Sequence, residues 1–148
     1  MAIPALDSRG LLPPGTHCAH GWEEIALHFA NNAHRAKLLE QMQLFIENEL
    51  ASVASGLAIY IGGSYLSDKP VPSDIDCTVM VPVDQVASWV PLMILAADGA
   101  KGRIYEQYGI EFYLTLSGPG MVQGNFTAFF AYVGEKTAQA RNLDAKYL

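Results

Sequence analysis

Apolar residues recur at helical spacing twice in the first third of the chain. Trp22, Ile25, Ala26 and Phe29 form one such stripe, with Glu23 and Glu24 in the first turn where they complement the helix dipole, and predict a short helix. A second, longer helix is predicted after a cap at Asn31 or Asn32. Leu38, Leu39, Met42, Phe45, Ile46 and Leu50 fall mainly on one side of it, and Arg35, Lys37, Glu40, Gln43 and Glu47 mainly on the other. Gly56 follows its expected end. The period then changes. Residues 57–61 read as a short buried strand that runs into Gly62-Gly63-Ser64, residues 67–73 as a loop, and residues 74–81 as a second strand. Alternation puts Asp74, Asp76 and Thr78 on one face of that strand and Ile75, Cys77 and Val79 on the other. Residues 84–97 predict a helix interrupted by Pro91, with Asp98-Gly99 as its stop. A third strand is predicted over 110–116, with Ile110, Phe112, Leu114 and Leu116 facing one way and Glu111, Tyr113 and Thr115 the other.

The two ends lack such periodicity. The first 21 residues carry Pro4, Pro13, Pro14, Gly10, Gly15 and Gly21 among Ile3, Leu6, Leu11 and Leu12, which predicts an extended N-terminal arm over 1–21. Beyond Gly118-Pro119-Gly120 comes an aromatic cluster (Phe126, Phe129, Phe130, Tyr132) and a polar run with Lys136, Arg141 and Lys146. Core packing is the favoured reading of the aromatics over stacking on a base. The whole pattern predicts an α/β (α+β) fold, a small mixed β-sheet with helices packed mainly on one face, as a single domain over 1–148.

Composition sharpens this. With 148 residues, of which 51% are hydrophobic, the chain can bury one core and is too short for two ordinary domains. Its net charge of -6 argues against a surface that grips nucleic acid by neutralising phosphates. Residues 51–100 hold one basic and five acidic side chains, an excess expected where carboxylates gather around a cation. The two cysteines, Cys18 and Cys77, are too few for a disulfide framework, and no apolar run of spanning length occurs, so a cytoplasmic protein without membrane contact is expected. His17-Cys18-Ala19-His20 lacks the ligand spacing of zinc sites, and the zinc reading is disfavoured.

The candidate chemistry lies between residues 57 and 81. Glycines after a strand let the main chain approach a phosphate, and a helical turn beginning at Ser64 would aim N–H groups and a hydroxyl at the same anion. Asp74 and Asp76, two apart on a strand, point the same way and suit hard cations that prefer oxygen ligands, with Glu111 on a neighbouring strand completing the set. Gly62, Gly63 and Ser64 are therefore the candidate phosphate-binding residues. Asp74, Asp76 and Glu111 are the candidate catalytic and metal-binding residues. Lys69 reads as a solvated loop lysine, and His34 and Arg35 read as structural, His34 near the cap and Arg35 paired with an acidic neighbour.

Gly63-Ser64, nine intervening residues and Asp74-Ile75-Asp76 resemble the glycine-serine and aspartate-x-aspartate signature of the polymerase-beta-like nucleotidyltransferase superfamily. Glu111 stands where that superfamily usually has a third strand aspartate. A closer likeness covers nearly the whole chain. Ile3-Pro4-Ala5-Leu6, Gly10-Leu11-Leu12-Pro13-Pro14-Gly15, Asn32-Ala33-His34-Arg35 and Phe129-Phe130-Ala131-Tyr132 are similar to a family of small, uncharacterised bacterial and phage nucleotidyltransferase-like proteins.

This resemblance implies a minimal nucleotidyltransferase-like fold and a Mg2+- or Mn2+-dependent enzyme. It would move a nucleoside monophosphate from a nucleoside triphosphate to an acceptor that is an RNA, a protein or a small molecule. The alternative is a catalytically inactive module of the same fold that binds a nucleotide or a protein partner.

Overall fold

A computed structural model describes residues 3–13, 19, 21–54, 57–82, 84 and 86–117. His17, Cys18 and His20, Gly56, the aromatic cluster at 126–132 and the polar run after it lie outside the described residues. Among the described residues four α-helices and three strands follow in the order α1 (Trp22–Phe29), α2 (Ala33–Phe45), β1 (Ala58–Gly62), β2 (Ile75–Pro82), α3 (Val86–Ala96), α4 (Asp98–Tyr108) and β3 (Ile110–Ser117). This is a small α+β fold. The sheet order is β1-β2-β3, with β1 antiparallel and β3 parallel to the central strand. A parallel neighbour requires a crossover, which α3 and α4 supply.

The strands form where alternation predicts them, each displaced by at most one residue at its ends. Ile75, Cys77, Val79 and Val81 of β2 and Ile110 and Phe112 of β3 have no exposed surface. They make the apolar face on which the helices sit. Phe45 of α2 meets Phe112 edge-on at 5.5 Å between ring centroids, and Tyr108 of α4 at the same distance. Leu92 of α3 and Ile104 of α4 join the same buried cluster. Helical hydrogen bonding continues past Phe45 as a π-helical turn, Ile46–Leu50, which carries Leu50 into the core, so the predicted long stripe is realised in two pieces. Among the described residues no helix is long and apolar enough to cross a membrane.

Two expectations are corrected. Asp98-Gly99 does not stop a helix but begins one. Ala97 adopts an extended backbone (φ -73°, ψ 154°), and Asp98 then opens α4, where its charge complements the dipole. The left-handed residue that ends α4 is Gly109 (φ 69°, ψ 29°), ten residues further on than the predicted stop. The second correction is Arg35. Placed on the polar side of α2 by spacing, it is 1% exposed and is the largest fully buried side chain among the described residues.

Candidate metal centre

Strand register assembles the site. Gly62 of β1 pairs with Asp76 of β2, and Asp76 pairs with Glu111 of β3, so one row across the sheet carries the glycine turn and two carboxylates. Asp74 lies two residues before Asp76, just ahead of the strand, and reaches the same place. Each of Asp74, Asp76 and Glu111 offers a carboxylate oxygen, and the three oxygens lie within 4.8 Å of one another. All three side chains are partly buried.

Gly63 and Asp76 fit together. Gly63 has φ 82° and ψ -166°, a conformation that side chains rarely adopt, and a Cβ built there would collide with Asp76 Oδ2. The absent side chain leaves the space that the Asp76 carboxylate fills. A single 3-10 turn, Ser64–Leu66, follows at once, closed by the Leu66 N–H donating to the Gly63 carbonyl at 3.1 Å. Ser64 thus begins the helical turn that the sequence predicts, although the turn is only three residues long.

The loop from this turn to Asp74 is held by main-chain anchors from two distant segments. Asp68 donates its N–H to the Gly10 carbonyl at 2.9 Å, and Leu11 bridges to Ser67. From α2, Asn32 Nδ2 donates to the Pro70 carbonyl at 2.8 Å, while Asn32 Oδ1 caps the helix by accepting from the Arg35 N–H. His34 Nε2 lies against the Pro72 carbonyl, a contact that puts the ring proton on Nε2. Arg35 donates to the carbonyls of Phe29, Tyr65, Ser67 and Lys69, and stacks on the Tyr65 ring at 4.6 Å. Tyr65 returns a hydrogen bond from its hydroxyl to the Arg35 carbonyl at 2.8 Å. Carbonyls receive the guanidinium, and Asp68 acts on it through space. The segment Asn32-Ala33-His34-Arg35 is a clamp on the loop that ends in Asp74.

Desolvation governs the electrostatics of the triad. Burial pushes the Asp76 carboxyl up to about 7, helped by a hydrogen bond with Glu111 and the negative charges of Asp74 and Glu111, against a small opposing effect of Lys101. Asp74 is raised in the same way, by burial first and Glu111 second, with Tyr105 and Lys69 opposing. Asp76 Oδ1 is buried and has no hydrogen-bond partner. A buried carboxylate oxygen without a donor is a costly arrangement, and one that a cation relieves. The donor set therefore fits a metal ion.

Three further residues belong to the surroundings and carry no sequence motif. Tyr113 lies on the same face as Glu111, two residues beyond it, and burial first and Glu111 second push its phenol up. The Tyr105 phenol of α4 is raised too, by the charge of Asp74 first and burial second. Lys101, one turn earlier on α4, places Nζ 3.9 Å from the centre of the Tyr113 ring. Tyr113 was within reach of the strand alternation. Lys101 and Tyr105 were not, because they ride on a helix that the sequence pattern does not announce.

Fold and site together define a small α+β protein with an oxygen-only triad behind a glycine turn. The chain belongs to the family of unknown function DUF6932, whose profile matches residues 4–142. No curated protein and no solved structure matches it.

Proposed function

We propose that the chain is a metal-dependent nucleotidyltransferase that moves a nucleoside monophosphate from a nucleoside triphosphate to an acceptor hydroxyl. The observation that carries this reading is the union of turn and triad, in which Gly63 owes its lack of a side chain to the carboxylate of Asp76. A phosphate seat and an acidic cluster arising separately would not need each other's space. The likeness of Gly63-Ser64 and Asp74-Ile75-Asp76 to the polymerase-beta-like signature supports it.

In this reading Asp74 and Asp76 hold two divalent ions, Mg2+ or Mn2+, and Glu111 supports the one beside the acceptor. The bound ions would supply Lewis acidity at the α-phosphate and charge for the departing pyrophosphate. Gly62, Gly63 and Ser64 seat the terminal phosphates, with the Ser64 hydroxyl as a donor. The acceptor oxygen bonds to the α-phosphorus, the bond to the bridging oxygen breaks, and the acceptor proton leaves to solvent. The clamp from Arg35 and His34 keeps the loop before Asp74 in place throughout. The acceptor is an RNA end, a protein hydroxyl or a small molecule, and the chemistry suits a cytoplasmic protein.

Calorimetric titration with each nucleoside triphosphate, in magnesium and then in EDTA, tests this. Magnesium-dependent binding of a nucleotide, at least tenfold weaker in Asp74→Ala as expected for loss of a metal ligand, is the expected result. Binding that persists unchanged in EDTA would defeat the transferase reading in favour of a metal-free nucleotide module. No binding of any nucleotide would favour a protein-binding module.

A further inference from the structure

The helix missing from the sequence pattern, α4, is unevenly built. None of residues 97–102 is buried, whereas Ile104 and Tyr108 in its second half are. That half is also tied at its side. Arg103 donates twice to the Glu49 carboxylate at 3.0 Å, and the Tyr108 hydroxyl donates to the same carboxylate at 2.9 Å. Gly109 closes it in the left-handed conformation.

The first half is held far less. Its N-cap is Ala97, whose side chain makes no capping hydrogen bond, and the charge of Asp98 in the first turn offsets only part of that loss. Gly99 and Gly102 follow. Neither has the positive φ that calls for glycine, and a Cβ built on either would meet nothing within 4 Å. Neither packing nor backbone geometry requires them, and each makes the helix easier to unwind.

This weak half stands beside the triad. Lys101 Nζ lies 3.9 Å from the centroid of the Tyr113 ring. Tyr113 is two residues beyond Glu111 on the same face of β3, and its ladder partner Thr78 is two beyond Asp76. Lys101 forms no salt bridge among the described residues, so its ammonium is held by the π face of the ring and by the field of the nearby carboxylates.

We propose that residues 98–102 are a latch on the cation site: the negative charge of the metal-free triad holds them closed through Lys101, and a bound divalent cation releases them. The inference rests on the reading of the triad as a cation site. It does not need the nucleotidyl chemistry.

The sign follows from charge alone. Three carboxyls whose oxygens lie within 4.8 Å of one another concentrate negative charge, and an ammonium is stabilised in their field. A divalent cation among them cancels that charge and repels the ammonium. The first half of α4 is then left to its own helix propensity, which two glycines and an uncapped start make low. Release opens the flank of the triad only once the ion is in place, so the latch sets an order, ion first and substrate second.

Amide hydrogen exchange of the full chain, at fixed ionic strength with and without Mg2+, tests this. The N–H groups of residues 101–104 bond to carbonyls of residues 97–100 and report on the first half. The Gly109 N–H, bonded to the Tyr105 carbonyl at 2.9 Å, reports on the second. Mg2+ is expected to speed exchange at 101–104 by about two- to fivefold, the range for one exposed charge interaction, and not at Gly109. Lys101→Met should exchange at the faster rate without Mg2+ and no longer respond to it, and Lys101→Arg should keep the response. Gly99→Ala combined with Gly102→Ala should slow exchange at 101–104 by about 15- to 30-fold.

Exchange at 101–104 that Mg2+ slows or leaves unchanged, in a chain that binds Mn2+ by electron paramagnetic resonance, would overturn the latch and leave the cation site standing. Equal acceleration at Gly109 would overturn it as a loosening of the whole helix. Unaltered exchange in the double alanine variant would overturn it as well, because the unwinding would not be set by the glycines. A wild-type chain that takes up no Mn2+ would remove the site and the latch together.

Discussion

The two faces of β2 and β3 share one backbone and do opposite things. On the helix-covered face Cys77 pairs with Phe112, both without exposed surface, and the ladder continues in apolar residues on either side. One step earlier on the ladder, Asp76 pairs with Glu111 on the other face, and there burial works against the Asp76 carboxylate. Removing apolar groups from water stabilises the fold, whereas removing carboxylates from water without donors costs stability. The strand alternation thus separates the part of the molecule that holds the fold together from the part where burial opposes it. Raised carboxyls gathered in one place mark a candidate site.

Substitutions on the two faces should then differ in sign as well as size. The largest effect is expected at Phe112, fully buried between the sheet and Phe45, where Phe112→Ala should destabilise by ~3–5 kcal/mol in denaturant unfolding. A loss below about 1 kcal/mol would mean that the helix-covered face is not the main source of stability. Next comes the join between the faces. Gly63→Ala forces a side chain into φ 82° and into the Asp76 carboxylate, at a cost of about 1–3 kcal/mol. Because the added methyl displaces Asp76, the same variant should also lose Mn2+ binding by more than about tenfold. If Gly63→Ala loses stability but keeps its affinity for the ion, turn and triad are independent, and the central support for the transferase reading goes with their union.

The same comparison explains what could be read from the sequence. The strands and the triad were legible because both rest on local signals: alternation over 74–81 and 110–116 fixes which side chains share a face, and each strand is found within a residue of that expectation. The spacing from Gly63 to Asp74 and Asp76 likewise pointed to one site. Helix α4 was illegible because Gly99 and Gly102 are poor helix formers and Asp98-Gly99 looks the same at either end of a helix. With α4 went Lys101 and Tyr105. Arg35 was misplaced for a different reason. Three of the four carbonyls that receive its guanidinium come from residues 30 to 34 positions away, and no local periodicity encodes so distant a partner.

The smallest and most diagnostic effect is on the acidic face, where a substitution should stabilise. The folded Asp76 carboxyl is pushed up to about 7, above an ordinary 3.8, by burial first and then by Glu111 and Asp74. The folded chain therefore keeps a proton that the unfolded chain gives up between those values. Stability from this group is fully present below the lower one and is lost as pH rises through the upper one. In EDTA the wild-type chain should melt lower at pH 8 than at pH 5. Asp76→Asn, which cannot ionise, should flatten that slope and exceed the wild type at pH 8 by ~1 kcal/mol, the low end for an unsatisfied buried polar group. Added Mn2+ should raise the melting temperature of the wild type alone, and more at pH 8 than at pH 6, because the ion competes with the proton held between Asp76 and Glu111. An Asp76→Asn chain less stable than the wild type at pH 8 would show that this carboxylate is paid for within the fold itself, and that the contrast between the two faces is one of polarity rather than of stability against function.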